Sequence, residues 1–144
     1  MKVAKASSFQ RRSFVRTRPI RYSDCDTAGI VFFPRYFLMV SDHIECWFDE
    51  YLDLSYRHLN EDHKVSVCTL EIKAEFLSAA RYGEKIKLAL LPKCVESDQI
   101  LLTVQGSASA MIKFKAEVLL RFTDFETDSP IEIPQIVLKH LKLT

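Results

Sequence analysis

Two carboxylates, Asp24 and Asp26, flank one cysteine in the stretch Tyr22-Ser-Asp-Cys-Asp26-Thr-Ala-Gly-Ile-Val-Phe-Phe-Pro34, immediately ahead of the most apolar segment of the chain. An aspartate in a loop most often accepts hydrogen bonds from nearby backbone N–H groups. Its position here adds a second use. Gly29 permits a positive-φ reversal, so the chain can fold back and aim a carboxylate toward Phe33 and Pro34, where a helix opens. A helix N-terminus presents unpaired N–H groups and about half a positive charge, which suits a developing oxyanion. A carboxylate facing such a site across an apolar pocket suits attack on an already activated carbonyl, and a thioester is one.

Other chemistries find little support. Only three glycines occur, Gly29, Gly83 and Gly106, so neither a P-loop nor a G-x-G-x-x-G cradle can be built. G-x-S-x-G, H-E-x-x-H and zinc-ligand spacings are absent, and His58 and His63 lie five apart, off one helical face. No metal site is expected. His43 and Cys46 are three apart and could pair as base and nucleophile, but Cys46 sits between Ile44 and Trp47, where a small thiol serves packing. His140 suits a helix end near the C-terminus.

These residues must be held by a scaffold. A chain of 144 residues is the length of one domain. Its 48% hydrophobic and 27% charged residues are ordinary globular values, and no apolar run reaches the roughly 20 residues of a membrane span. Cys25, Cys46, Cys68 and Cys94 are scattered, which fits free thiols in a reducing cytoplasm. Net charge is +1, yet Lys2, Lys5, Arg11, Arg12, Arg16, Arg18 and Arg21 all precede the first acid, leaving a net −6 on the rest. Residues 1–12 read as a basic tail and 13–144 as a single domain. Basic residues without a nucleic-acid-binding motif read as a solvated face, so no nucleic-acid partner is expected.

Residues 14–22 read as a strand with Pro19 at an edge or bulge. From Pro34 to about Asp53, apolar residues Phe37, Val40, Ile44, Trp47, Phe48 and Tyr51 recur every three or four positions, predicting one long helix that starts near Phe33. Tyr36, Leu38 and Met39 make its first turns apolar nearly all round, so protein must surround it. A short helix capped by Ser55 is predicted next. Four period-two segments follow, around 69–76, 86–90, 100–104 and 112–122, and their spacing suggests an antiparallel meander. Pro134 opens a last short helix. The order predicts an α+β architecture, one antiparallel sheet burying a single hydrophobic helix on its concave face.

The stretch from Tyr22 to Tyr36 resembles the signature of 4-hydroxybenzoyl-CoA thioesterases and related acyl-CoA thioesterases, which have the hot-dog fold: a curved antiparallel sheet wrapped around one long helix. The resemblance implies hydrolysis of an acyl-CoA thioester, the acyl group aromatic, as in 4-hydroxybenzoyl-CoA, or of short to medium chain. It implies no cofactor, CoA being part of the substrate. It also implies a homodimer, often paired again into a homotetramer, with active sites at the dimer interface. The family's catalytic carboxylate is the second acid of its D-C-D, which falls on Asp26, and its carbonyl-polarising N–H falls on the backbone of Phe33. Asp26 then attacks the thioester carbon or activates a water.

The sequence departs from the family at two places. A sister branch carries His where Phe33 stands, so that imidazole is absent and the Phe-Pro pair resembles the aromatic-acyl branch. The family's acid further along the helix is replaced by Ser41, with Asp42 beside it, and both become candidates for acyl contact along with Phe32. CoA phosphates need cations, and Arg81, Lys85 or the basic tail are the candidates. Two rival readings stand: a hot-dog hydratase or dehydratase acting on CoA thioesters, which would pair Asp with His, and a non-catalytic oligomer that binds acyl-CoA.

Overall fold

In the computed structural model, which describes residues 4–5 and 13–141, six antiparallel strands form one sheet. The strands are β1 (Ala4–Lys5), β2 (Phe14–Pro19), β3 (Val65–Phe76), β4 (Lys85–Val95), β5 (Gln99–Ala108) and β6 (Met111–Asp124). The helices are α1 (Pro34–Cys46), α2 (Tyr56–Asp62) and α3 (Gln135–His140). Apart from Ala4–Lys5, which pair with Val95 and Cys94, the basic tail lies outside the described residues.

The alternating residues of β4, β5 and β6 share one face because directly opposed residues of an antiparallel pair point the same way. Leu90 opposes Val104, which opposes Ala116, which opposes Ala74 of β3. This face is buried against Tyr36, Met39, Val40 and Ile44 of α1, which completes one core. Each fully buried aliphatic side chain contributes about 1.5–3 kcal/mol. Gly106 opposes Phe114, whose wholly buried ring crosses the position a Cβ would take and packs on Tyr36 at 4.9 Å.

Two sequence expectations are corrected. The four period-two segments do not form a simple meander: β4, β5 and β6 do, but β3 pairs with β6, giving the order β4-β5-β6-β3. Alternation specifies which face a residue takes and not which strand it pairs with. The expected helix through Asp53 is α-helical only to Cys46, then widens into a π-turn over Trp47–Tyr51 capped by Leu52, and Asp53 follows outside it with φ of 54°. The buried neighbours Trp47 and Phe48 continue the buried pairs Met39–Val40 and His43–Ile44 of α1 at four-residue intervals, so the widened turn keeps the same side of the helix in the core. Ser55 caps α2 by accepting from the His58 N–H at 3.1 Å, and Pro134 precedes α3, both as expected.

The reordering matters for function. Because β3 lies at the far edge, residues 77–84 must cross back to β4. The crossing segment is hydrogen-bonded along the loop between β2 and α1: Val31 N–H donates to Ala80 O, Tyr82 N–H to Gly29 O, and Ile30 bridges Arg81.

Candidate active site

The loop between β2 and α1 is built around a tight reversal. Asp26 N–H donates to Ile30 O at 2.9 Å and Gly29 N–H to Asp26 O at 3.0 Å. The Asp26 carboxylate closes the same turn: Oδ1 accepts from Ala28 N–H at 2.9 Å and Ile30 N–H at 3.3 Å. Gly29 has φ of +76°, and a Cβ there would stand 3.0 Å from Tyr82 Cε1. Side chains rarely adopt that backbone, so glycine allows the reversal. Asp26 itself is exposed.

Cys25 bridges Val31 across the neck of the loop, and Phe32 N–H donates to Asp24 O at 3.0 Å. The chain then enters α1. Phe32 O and Phe33 O accept from Arg35 and Tyr36, and Pro34 has no N–H to offer. Phe33 N–H has no acceptor among the described residues. It is therefore the free backbone donor at the helix start, available to an oxyanion.

An apolar hollow of about 300 Å³ opens beside it, walled by Val31, Phe33, Tyr36, Phe76, Leu77 and Ala79. The Phe76 ring lies 5.9 Å from Phe33, 5.6 Å from Tyr36 and 6.1 Å from Phe37, contacts typical of attractive aromatic pairs. Phe76 reads in sequence only as the end of a strand, with Leu77 just beyond it, and their exposure of 45% and 49% leaves both open to another use. Lys113, buried against the crossing segment, donates to Ala79 O at 2.8 Å and faces Glu84 at 3.7 Å. The Glu84 carboxyl is held below its usual range, first by the Ser109 hydroxyl at 2.6 Å.

The remaining candidates are distributed around this centre. Phe32 is exposed, its ring 5.8 Å from Phe33. Arg81 is exposed beside Ile30, across the neck of the Asp26 turn. Lys85 begins β4 opposite Pro19. Ser41 and Asp42 line a second hollow of about 440 Å³ two turns down α1, with Arg18, Asp24, Arg35 and Tyr56. The structure thus gathers Asp26, Phe33, Phe32 and Arg81 at one end of α1 and leaves Ser41 and Asp42 further along it. Burial raises the Tyr56 hydroxyl above its ordinary pKa, keeping it a neutral donor.

The other nucleophile and base candidates are engaged elsewhere. His43 Nε2 donates to Phe14 O at 2.9 Å, and burial lowers its pKa, so it is a neutral structural group. Cys46 Sγ lies 2.6 Å from Arg16 Nη1, yet burial still raises the thiol pKa. Burial also raises that of Cys25, between the two acids. Thiolates are the reactive form, so none of these is poised to attack. Among the described residues no group of three or more His, Cys, Asp or Glu could hold a metal ion, and no helix is long and apolar enough to cross a membrane.

Comparison with known proteins adds the decisive observation: the family model described as "Thioesterase-like superfamily" matches residues 20–141. The chain belongs to the thioesterase-like superfamily. Membership makes it a thioester hydrolase by family. No curated protein matches it in sequence. Solved structures share the hot-dog fold. A Staphylococcus aureus protein in complex with CoA is similar with a TM-score of 0.84 at 16% identity, over 90% of this chain and 82% of that one. A 1,4-dihydroxy-2-naphthoyl-CoA thioesterase from Synechocystis gives 0.82 at 17%, over 90% and 96%. The 4-hydroxybenzoyl-CoA thioesterase from Pseudomonas gives 0.82 at 20%, over 90% and 99%.

Proposed function

We propose that this thioester hydrolase acts on acyl-CoA, with Asp26 as nucleophile or general base and the Phe33 N–H as oxyanion donor. The observation that carries this reading is the unpartnered Phe33 N–H at the start of α1, in the same bonded loop as the Asp26 carboxylate and beside an apolar hollow. In the nucleophilic route Asp26 attacks the thioester carbon and the C–S bond breaks, releasing CoA thiolate. Water then hydrolyses the mixed anhydride to free acid and Asp26. In the general-base route Asp26 takes a proton from the attacking water. Either way the carbonyl oxygen becomes anionic against Phe33 N–H, an interaction whose loss typically costs about 10²–10³ in rate.

The acyl group is a hydroxylated aromatic or a short to medium chain. The aromatic walls of the hollow support the first, as do the substrates named for the Synechocystis and Pseudomonas proteins. Arg81 and Lys85 serve the CoA phosphates. The chain works as a homodimer, paired again into a tetramer: the outer edge of β3 is unpaired among the described residues, and Phe33, Leu38, Leu70, Phe76 and Leu77 are exposed. Free cysteines fit a cytoplasmic setting. A hydratase would need a histidine at the helix, and His43 is already bound to Phe14 O.

The test is release of free CoA, trapped by a thiol reagent, from 4-hydroxybenzoyl-, benzoyl-, acetyl-, hexanoyl- and decanoyl-CoA. Turnover of at least one is expected. A folded protein that releases CoA from none of them overturns the proposal.

A further inference from the structure

We propose that the Arg18–Asp24 pair is a positioning device that sets the place of both reacting groups, an inference that rests on the reading of Asp26 and Phe33 above. Asp24 is the better buried of the two acids, its side chain only 11% exposed. Its Oδ2 accepts from Arg18 Nη2 at 3.2 Å and from Arg21 N–H at 3.0 Å. Its own N–H donates to Arg21 O at 2.9 Å, and its carbonyl accepts from Phe32 N–H at 3.0 Å. One residue thus joins the end of β2, the turn at Tyr22–Asp24 and the strand that leads into α1.

Between the two ends of the Asp24–Phe32 bond lies the closed loop that carries Asp26, and the next amide after Phe32 is the free N–H of Phe33. Displacing Asp24 therefore moves the base and the oxyanion donor together. Arg18 reaches it because it opposes the buried Ile86 and so faces the helix side of the sheet. A largely buried carboxylate costs free energy unless it is paired, and Arg18 supplies the pairing charge. A displacement of about 1 Å in a reacting group can cost about 10²-fold in rate.

The experiment compares Asp24→Leu, Asp24→Asn and Arg18→Met in the full chain. With folding verified by circular dichroism, Asp24→Leu is expected to lower kcat about 10²-fold and KM by no more than about threefold. Asp24→Asn is expected to rescue most of that loss, since its amide oxygen still accepts from Arg21 N–H and Arg18. Arg18→Met, at a partly exposed side chain, is expected to lower kcat by about three- to tenfold and carries the kinetic test if Asp24→Leu does not fold. Wild-type kcat in Arg18→Met overturns the proposal. So does an Asp24→Asn variant as impaired as Asp24→Leu whose Phe32 amide exchange is unchanged, because the charge itself would then be doing chemistry.

Amide exchange at Phe32 gives a readout independent of turnover. It is expected to speed up about tenfold in Arg18→Met, and unchanged exchange overturns the proposal. Failure of the thioesterase reading is separable: it would appear as an inactive wild type or a fully active Asp26→Asn variant.

Discussion

Replacing Asp26 by Asn separates the proposed chemistry from folding, because Oδ1 alone accepts the hydrogen bonds that close the turn. Oδ1 closes the turn by accepting from Ala28 and Ile30 N–H groups, and an asparagine Oδ1 can keep both bonds. Stability should therefore change by less than about 0.5 kcal/mol. Asp26→Ala removes both acceptors. A typical net hydrogen bond is worth about 0.5–1.5 kcal/mol, and water reaches this exposed turn, so the lower end applies and the loss is about 1 kcal/mol. That corresponds to a Tm decrease of about 2–4 °C. Both variants lose the proposed nucleophile or base, and kcat should fall about 10²–10⁴-fold in each. The assay is steady-state CoA release from the best acyl-CoA, with thermal unfolding on the same samples. Calorimetric titration of Asp26→Asn should still report acyl-CoA binding. An Asp26→Asn variant within threefold of wild-type kcat refutes the reasoning, and so does a loss of activity that merely follows a loss of folding.

Other outcomes follow from the same geometry. Gly29→Ala puts an L-residue at φ of +76° and should cost about 1–2 kcal/mol in thermal or urea unfolding, with Gly29→Asn costing less. Gly106→Ala places a Cβ within 2.3 Å of the buried Phe114 ring and should cost about 1–3 kcal/mol, partly recovered by Phe114→Leu in the same chain. His43 has a folded pKa below 6.5, so the unfolded chain takes up the proton first. Its stabilising contribution is complete above about pH 6.5 and is lost as pH falls from there through the lower folded value. Urea midpoints at pH 5.5 and 7.5 should therefore differ in wild type and differ less in His43→Gln. Light scattering should give a mass of two or four times the 16.7 kDa chain, and a monomer at assay concentration refutes the proposed interface.

Much of the scaffold was legible in the sequence because it depends on near neighbours. Pro34 marks the helix start through its missing N–H, Ser55 caps α2 through its hydroxyl, and alternation assigns Ile86, Leu88, Leu90 and their counterparts to the buried face. The π-turn after Cys46 was not legible, because Trp47, Phe48 and Tyr51 extend the same three- and four-residue spacing that marks the α-helix before them.

The sequence by itself determined the reversal at Gly29, the Asp-Cys-Asp stretch ahead of Pro34 and the apolar character of α1. Each is a property of adjacent residues. Only the tertiary structure decided that β3 pairs with β6, and hence that residues 77–84 cross over the Asp26 loop and bring Phe76 and Leu77 beside Phe33. It also decided the burial of the two acids, placing Asp24 against Arg18 and leaving Asp26 exposed at the turn. The reason is physical: periodicity records which face a side chain takes, whereas partners across a sheet and charges meeting across a turn depend on how the whole chain closes on itself.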